Sequence, residues 1–362
     1  MIKIGITQGD INGIGYEVIL KTFSDIRIAE LCIPIIYGSA KVAAYHRKVL
    51  DLQPVMFNQI SNAAEAETDK VNIINCVPDD IKVDLGKPTK TSGDAAFSSL
   101  EAATKDLQDG LIDVLVTAPI NKESIQNDGF QFPGHTEYLE NKFAKDGDHS
   151  LMILTKDKLR VALVTGHIPV SDVPKSITKE KILNSLVVFN KSLQRDFNIG
   201  KPRIAVLSLN PHAGENGLLG SEEEDIIIPA VNEASDKGLL CFGPFAADGF
   251  FGSGHFSRYD GILAMYHDQG LVPFKTIAME EGVNFTAGLP IVRTSPAHGT
   301  AYDIAGKSEA SEESFRQAIY LAIDTFRNRE QYDNAHANPL KKLYFERGSD
   351  NETLDLTKEE EQ

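Results

Sequence analysis

The 362-residue chain is poor in cysteine and in long apolar runs, and each shortage excludes a class of protein. Its three cysteines, Cys32, Cys76 and Cys241, are odd in number and widely spaced, which suits a reducing compartment and offers no zinc–cysteine spacing. The apolar runs stay short of the ~20 residues that a membrane helix needs. The sequence begins with a strand-like run and shows no signal peptide. We therefore expect a cytoplasmic protein with no membrane partner.

Basic residues are also scarce. Lysine and arginine total 36 against 52 aspartates and glutamates, for a net charge of −16. This balance argues against a general binder of nucleic acid or of anionic membranes. It leaves an anionic small molecule open as a substrate, because a few local basic residues are enough to bind one.

Length and alternation predict the fold class. The chain is too long for one ordinary core, so two domains are expected. Strand-like runs alternate with helix-like segments, which predicts an α/β protein with largely parallel sheets. The strand candidates are Ile2–Thr7, Ile33–Tyr37, Val71–Cys76, Val114–Thr117, Leu151–Thr155, Val161–Thr165, Ile204–Leu209 and Ile262–Met265.

Helix candidates fall between these runs. Two are Asp94–Leu107, with Ser92 as a possible cap, and Lys181–Phe197. Ser221 and Glu224 indicate a capping box for a third helix, which would end near Gly238, and residues 315–326 carry an amphipathic stripe.

Three apolar runs are each followed by a histidine, and these histidines are the first candidates for chemistry. The runs VALVTGH, IAVLSLNPH and GILAMYH end in His167, His212 and His267. In α/β sheets ligands bind beyond the carboxyl ends of strands, so residues far apart in sequence can converge there. Three imidazoles with an open position suit a catalytic divalent metal, zinc especially. Asp268 could then orient His267 or act as a neighbouring base.

Other stretches allow both a functional and a structural interpretation. Gly9, Gly13 and Gly15 lie between the first strand and the first helix, where a structural turn is the better interpretation than an anion site. Asp10 could cap that helix. Further candidates for a pocket that binds a phosphorylated acid are His135, Thr136, Lys275, Asn284 and Arg293.

Five motifs carry a family resemblance: GHTEYL, TGHIPVSDVP, LNPHAGENGLLGSEE, YDGILAMYHDQGLVPFK and GLPIVRTSPAHGTAYDIAGK. They resemble the 4-hydroxythreonine-4-phosphate dehydrogenase family of vitamin B6 biosynthesis, over nearly the whole chain. The end motifs also resemble the isocitrate and isopropylmalate dehydrogenases. The resemblance implies two α/β/α domains that flank a cleft, with both termini in one domain. We assign residues 1–130 and 290–345 to the first domain, residues 131–289 to a second domain with the metal ligands and dimer interface, and residues 346–362 to an acidic, disordered tail.

The resemblance also implies roles for residues. It makes His167, His212 and His267 ligands of a divalent metal: zinc, or else magnesium, manganese or cobalt. It implies that the substrate is bound by His135, Thr136, Lys275, Asn284 and Arg293. It also implies that NAD is bound by the loop with His298, Gly299, Thr300 and Asp303. It places the site at a homodimer interface, with His267 supplied by the other subunit.

The activity implied is NAD-dependent oxidation of 4-phosphooxy-L-threonine, followed by decarboxylation to 3-amino-2-oxopropyl phosphate. Oxidation of a related acid phosphate, threonate or erythronate 4-phosphate, is the alternative. A phosphate acyltransferase and a metal-dependent sensor are alternatives from other classes, and the strand-end histidines argue against the first. Three residues compete as the general base: Asp268, Asp248 and Lys275. A purely structural Asp268 is as plausible as a catalytic one.

Overall fold

A computed structural model describes residues 1–78 and 80–339. The predicted acidic tail, residues 346–362, and the end of the first predicted domain lie outside the described residues. The strands are β1 (Lys3–Thr7), β2 (Ile33–Gly38), β3 (Phe57–Ile60), β4 (Val71–Asn75), β5 (Val114–Thr117), β6 (Leu151–Lys156), β7 (Leu159–Leu163), β8 (Arg203–Leu207), β9 (Leu240–Phe245), β10 (Gly261–Ala264), β11 (Val283–Ala287) and β12 (Arg293–Pro296).

Helices separate most of these strands, as the alternation predicts. They are α1 (Gly15–Phe23), α2 (Ala40–Val49), α3 (Lys90–Gln108), α4 (His135–Phe143), α5 (Val173–Ser176), α6 (Lys179–Arg195), α7 (Ile228–Asp236), α8 (Ala247–Gly252), α9 (His267–Ala278) and α10 (Glu313–His336). The α/β class is therefore confirmed. No helix in the described part of the chain is long and apolar enough to span a bilayer.

All twelve strands form one sheet, in the order β3-β4-β2-β1-β5-β12-β11-β6-β7-β10-β8-β9. The strands from β3 to β12 in this order are mutually parallel, and so are those from β7 to β9. The two parallel blocks are joined by β11 and β6, which pair antiparallel with each other and with their outer neighbours. The expected parallel pairing thus holds within each block, and the domain boundaries stay a prediction.

The amphipathic stripe predicted for residues 315–326 lies on the buried side of α10. Phe315, Ile319 and Ile323 are at most 3% exposed and join the main core cluster together with Ile4 and Val116 of the central strands. Burying such side chains contributes roughly 1.5–3 kcal/mol each to stability. This packing therefore holds α10, the last described element, against the first strands of the sheet.

Glycines in the β1–α1 turn make room for backbone rather than for an anion. An added Cβ would lie 2.4 Å from the Pro119 carbonyl oxygen at Gly9, and 2.7 Å from the Thr300 carbonyl oxygen at Gly13. The structural interpretation of this turn is therefore confirmed. Asp10 does not cap α1, because its Oδ1 accepts instead from the Asn12 N–H at 2.9 Å.

Two predicted caps are wrong. Thr89, not Ser92, is the N-cap of α3, and Ser92 is the partner at the third helical position that completes the capping box. The segment after Ser221 begins as a π-helical turn, Glu223–Ile227, before α7, and no side chain caps it. The carboxylate of Glu223 points back to the preceding loop instead, where it accepts from two backbone N–H groups.

Candidate active site

A cavity of about 870 Å³ opens where several strands end. Residues at or just beyond the carboxyl ends of β5, β7, β10 and β12 line it, together with β6, the start of β11 and parts of α4, α6 and α9. This is the position that the strand-end argument predicts. Nine of the predicted site residues line this cavity: His135, Thr136, His167, His267, Lys275, Asn284, Arg293, His298 and Gly299.

Arg293 places a buried positive charge at the cavity. The residue is 3% exposed, and its guanidinium donates to Thr117 Oγ1 at 2.7 Å and 3.1 Å and to Thr286 Oγ1 at 3.2 Å. Burial lowers its pKa to about 10. Within residues 1–78 and 80–339 it forms no ion pair. A buried cation held only by hydroxyl groups is a strong site for an anionic group, because such a group would supply the missing charge.

Three more polar atoms at the cavity are buried without a partner: His135 Nε2, Asn284 Oδ1 and His298 Nε2. Burial, and then the charges of Arg293 and Lys122, lower the pKa of His135 well below its ordinary value. Burial likewise lowers the pKa of His298, whose Nδ1 donates to the Gly299 carbonyl at 3.1 Å and leaves Nε2 as an acceptor. Buried polar atoms are normally paired, so these three atoms mark where bound molecules would contribute hydrogen bonds.

His167 and His267 form a pair at one side of the cavity, with ring centroids 5.6 Å apart. The two rings approach each other within one chain, and the expectation that a partner supplies His267 stays a prediction. Asp268 contacts His267 Nδ1 at 2.7 Å, and its carboxylate is 74% exposed. Asp268 therefore touches the histidine but does not line the cavity.

His212 does not join this pair in the single chain. It is exposed, has a left-handed backbone (φ 52°) and is absent from the cavity wall. No group of three or more histidine, cysteine, aspartate or glutamate side chains in the described part of the chain could hold a metal ion. Two of the three predicted ligands thus come together, and the third lies apart from them in the single chain.

Only some of the predicted cofactor residues and general bases line the cavity. His298 and Gly299 line the cavity, whereas Thr300 and Asp303 do not. The Thr300 carbonyl accepts from the Ile14 N–H at 3.0 Å, so it fastens the loop to the glycine-rich turn. Asp248 lies in α8, outside the cavity, so Lys275 is the one predicted base that lines it.

Lys122 is a site residue that the sequence analysis missed. It follows β5, lines the cavity and has its Nζ 3.3 Å from His167 Nε2. An ammonium group only donates, so Nε2 accepts this hydrogen bond through its lone pair and the ring proton lies on Nδ1. Burial and then Lys122 lower the pKa of His167, which keeps the imidazole neutral. The sequence does indicate Lys122, because Asn121 and Lys122 are polar residues shortly after a strand, the same kind of position that identified the histidines.

The α/β fold and this cavity define an enzyme-like site for a small anionic molecule, with cations and unpartnered polar atoms converging from several strand ends. The chain belongs to the family described as pyridoxal phosphate biosynthetic protein PdxA, whose family model matches residues 30–322. A 4-hydroxythreonine-4-phosphate dehydrogenase from Bacteroides thetaiotaomicron is 61% identical over 355 residues, which cover 98% of this chain and 97% of that protein. A counterpart from Aquifex aeolicus is 43% identical over 322 residues, 89% and 98% of the two chains.

A solved structure agrees with the fold. The crystal structure of 4-hydroxythreonine-4-phosphate dehydrogenase from Klebsiella pneumoniae matches with a TM-score of 0.77 and 34% sequence identity. The match covers 90% of this chain and all of that chain. The family resemblance read from the motifs is therefore confirmed.

Proposed function

We propose that this protein oxidises 4-phosphooxy-L-threonine with NAD, and that the keto acid then loses carbon dioxide to give 3-amino-2-oxopropyl phosphate in pyridoxal 5'-phosphate biosynthesis. The observation that carries the proposal is the buried guanidinium of Arg293, which has no ion pair among the described residues, at a cavity with three unpartnered polar atoms. Membership of the family supports the choice of substrate. We also expect the enzyme to be cytoplasmic.

The cavity's cations would bind the two anionic groups of this substrate. Arg293 approaches from β12 and Lys122 from the loop after β5, and Lys275 of α9 would also contact the substrate. Neither Arg293 nor Lys122 has an ion pair among the residues that the structure describes, so the substrate's phosphate and carboxylate would supply the missing negative charges. His135 and Thr136, at the start of α4, and Asn284 would fix the orientation of the substrate through hydrogen bonds.

His167 and His267 fit a divalent metal. Burial and then Lys122 lower the pKa of His167, and the ring centroid of His267 lies 5.6 Å from that of His167. We propose that His212 of a second copy completes the ligand set in a homodimer. Zinc suits imidazole ligands best, with magnesium, manganese or cobalt as alternatives. A metal held there would act as a Lewis acid toward the substrate's hydroxyl and carbonyl oxygens.

His298 and Gly299, which also line the cavity, fit a nicotinamide cofactor. No heavy atom lies within 4 Å of a Cβ added to Gly299, so the backbone is open to a bound molecule. His298 Nε2 is buried without a hydrogen-bond partner, so a bound molecule could donate to it. Thr300 and Asp303 would hold the loop's shape behind them. NAD, when bound, would accept the hydride.

Lys275 is the group that we propose takes the hydroxyl proton. It lines the cavity, whereas Asp248 is in α8 and Asp268 points away into solvent. The contact of Asp268 with His267 Nδ1 supports an orienting role for this carboxylate, because it fixes which imidazole nitrogen faces the cavity.

Turnover of the substrate tests the proposal. NADH formation from 4-phosphooxy-L-threonine would be followed by its absorbance, with and without chelator and metal add-back, for native protein, His212→Ala and the exposed control His255→Ala. We expect metal-dependent turnover that His212→Ala abolishes and His255→Ala retains. Turnover of threonate or erythronate 4-phosphate alone would contradict the substrate but keep the chemistry. If none of the three is oxidised, the proposed function is wrong.

A further inference from the structure

The segment that carries His212 has an unusual backbone. Six consecutive residues, 212–217, have positive φ angles, between 46° and 85°. Four of them are not glycine: His212, Ala213, Glu215 and Asn216. Residues with a Cβ rarely adopt this left-handed conformation, and a whole left-handed turn of them persists only where surrounding contacts impose it. The conformation of His212 therefore depends on what holds this turn.

The buried carboxylate of Glu223 holds the start of the turn. Glu223 is 1% exposed, and its Oε1 accepts from the backbone N–H groups of Leu209 and Asn210, each at 2.8 Å. Its Oε2 accepts from Asn210 Nδ2 at 2.9 Å. Three N–H donors satisfy this charge, and the described residues give it no basic partner. The carboxylate thus fixes Leu209 and Asn210, which lie three and two positions before His212.

The same carboxylate also fills the inside of the turn. A Cβ built on Gly214 would lie 2.6 Å from Glu223 Oε2, so the buried glycine is in close contact with the acid. Glu223 is the first residue of the π-helical turn, Glu223–Ile227. Such turns insert an extra residue into a helix and often occur at functional sites. The fold thus places one acid against both the entry and the centre of the left-handed turn.

We propose that Glu223 is the positioning residue for His212: it holds turn 212–217 in its left-handed form, so that this imidazole is presented outward as a metal ligand to a second copy of the chain. The inference rests on the proposed function, because it takes His212 as a ligand. Glu223 itself touches neither the cavity nor a predicted ligand side chain.

Metal affinity is the measurement that tests this role. Zn²⁺ affinity and the Co²⁺ absorption spectrum would be measured for native dimer, Glu223→Gln, Gly214→Ala and the exposed neighbour Glu224→Gln. Substituting groups that orient a ligand typically weakens metal binding ~10–100-fold. We expect a loss of that size for Glu223→Gln and Gly214→Ala, with an altered Co²⁺ spectrum. Glu224→Gln, which makes the same change in charge, should bind like native protein. Thermal unfolding and light scattering would check that each variant folds and dimerises.

Repeating the Glu223→Gln change in a His212→Ala background separates positioning from general stability. If Glu223 acts through His212, the second change should leave the already weakened Zn²⁺ affinity unaltered. An equal further loss in that background would overturn the inference, as would native-like affinity of Glu223→Gln. Native-like affinity of His212→Ala would instead show that His212 is no ligand, which overturns the proposed metal site and the inference with it.

Discussion

His46 is a buried histidine that links the stability of the chain to pH. It is 1% exposed, its Nε2 donates to the Ile11 carbonyl at 2.8 Å, and burial lowers its pKa to about 4. In the unfolded chain the same group titrates near 6.5. The unfolded state therefore binds more protons between these values. The contribution of His46 to stability is complete above the unfolded pKa and is lost as the pH falls toward the folded one.

We expect His46 alone to lower the free energy of unfolding by about 2 kcal/mol between about pH 8 and about pH 5. Urea unfolding of native protein and His46→Gln at both pH values measures this change in the free energy of unfolding, because the glutamine side chain does not titrate. The stability difference between the two proteins should narrow by that amount at the lower pH. His255→Gln, at an exposed histidine, should show no such narrowing. A constant difference for His46→Gln would contradict the linkage.

Site residues were predictable where they follow an apolar strand or a family motif, as His135, Lys275 and Arg293 do. Lys122 follows β5 in the same way but has no neighbouring motif of its own. Glu223 could not be found from sequence, because its role depends on the backbone of residues 209–214 folding against it. The separation of His212 from His167 is likewise a property of the folded chain, which spacing does not encode.

At the scale of elements, the β1–α1 turn and the 298–307 loop form one unit. The Gly13 Cα faces the Thr300 backbone, and the Ile14 N–H binds the Thr300 carbonyl. The loop's two cavity residues, His298 and Gly299, directly precede this contact. Any side chain at Gly13 would therefore push the loop and shift the atoms that we propose bind NAD.

Gly13→Ala should raise the KM for NAD ~10-fold or more, because a misplacement of about 1 Å at a site can cost up to ~100-fold. The KM for 4-phosphooxy-L-threonine should change much less, since Arg293 and Lys275 lie on other elements. Steady-state kinetics with each substrate varied in turn measures both constants. Gly200→Ala, where an added Cβ meets no atom within 4 Å, is the matched control. Equal changes in the two constants would contradict a local effect on the loop.

Strands were predictable from sequence only where they are apolar. The eight predicted runs correspond to β1, β2, β4, β5, β6, β7, β8 and β10, and every end agrees within two residues. Four strands were missed: β3, β9, β11 and β12. Of these, β12 reads RTSP, and its buried polar side chains are satisfied by hydrogen bonds such as Arg293 to Thr117 and Thr294 to the Ala318 carbonyl. Burial of polar residues through tertiary partners leaves no hydrophobic period to detect.

At the scale of the whole molecule, the proposed metal site needs two copies. His167 and His267 lie together in one chain, and His212 lies apart from them. Two variant chains that each lack a different metal ligand should therefore form one intact site when they pair in a mixed dimer. In a mixed dimer of His167→Ala and His212→Ala, one site has both defects and the other has none.

Mixing the two inactive variants under conditions that exchange subunits should recover about a quarter of the native activity, since half of random dimers are mixed and one of their two sites is intact. Each variant alone should stay inactive after the same treatment. Activity after mixing is measured as NADH formation. No recovery, with subunit exchange verified by mass, would contradict a site shared between copies.

Of the three free cysteines, Cys32 and Cys241 are buried and Cys76 is half-buried, which affects how the protein can be studied. Burial raises the pKa of Cys32 and of Cys76 to about 12 and that of Cys241 to about 11. Thiol reagents attack the thiolate, so the folded chain should label slowly at neutral pH. The labelling rate of each thiol should therefore measure how often the structure around it opens locally. Cys32 and Cys76 report on one parallel block of the sheet and Cys241 on the other, without any introduced probe.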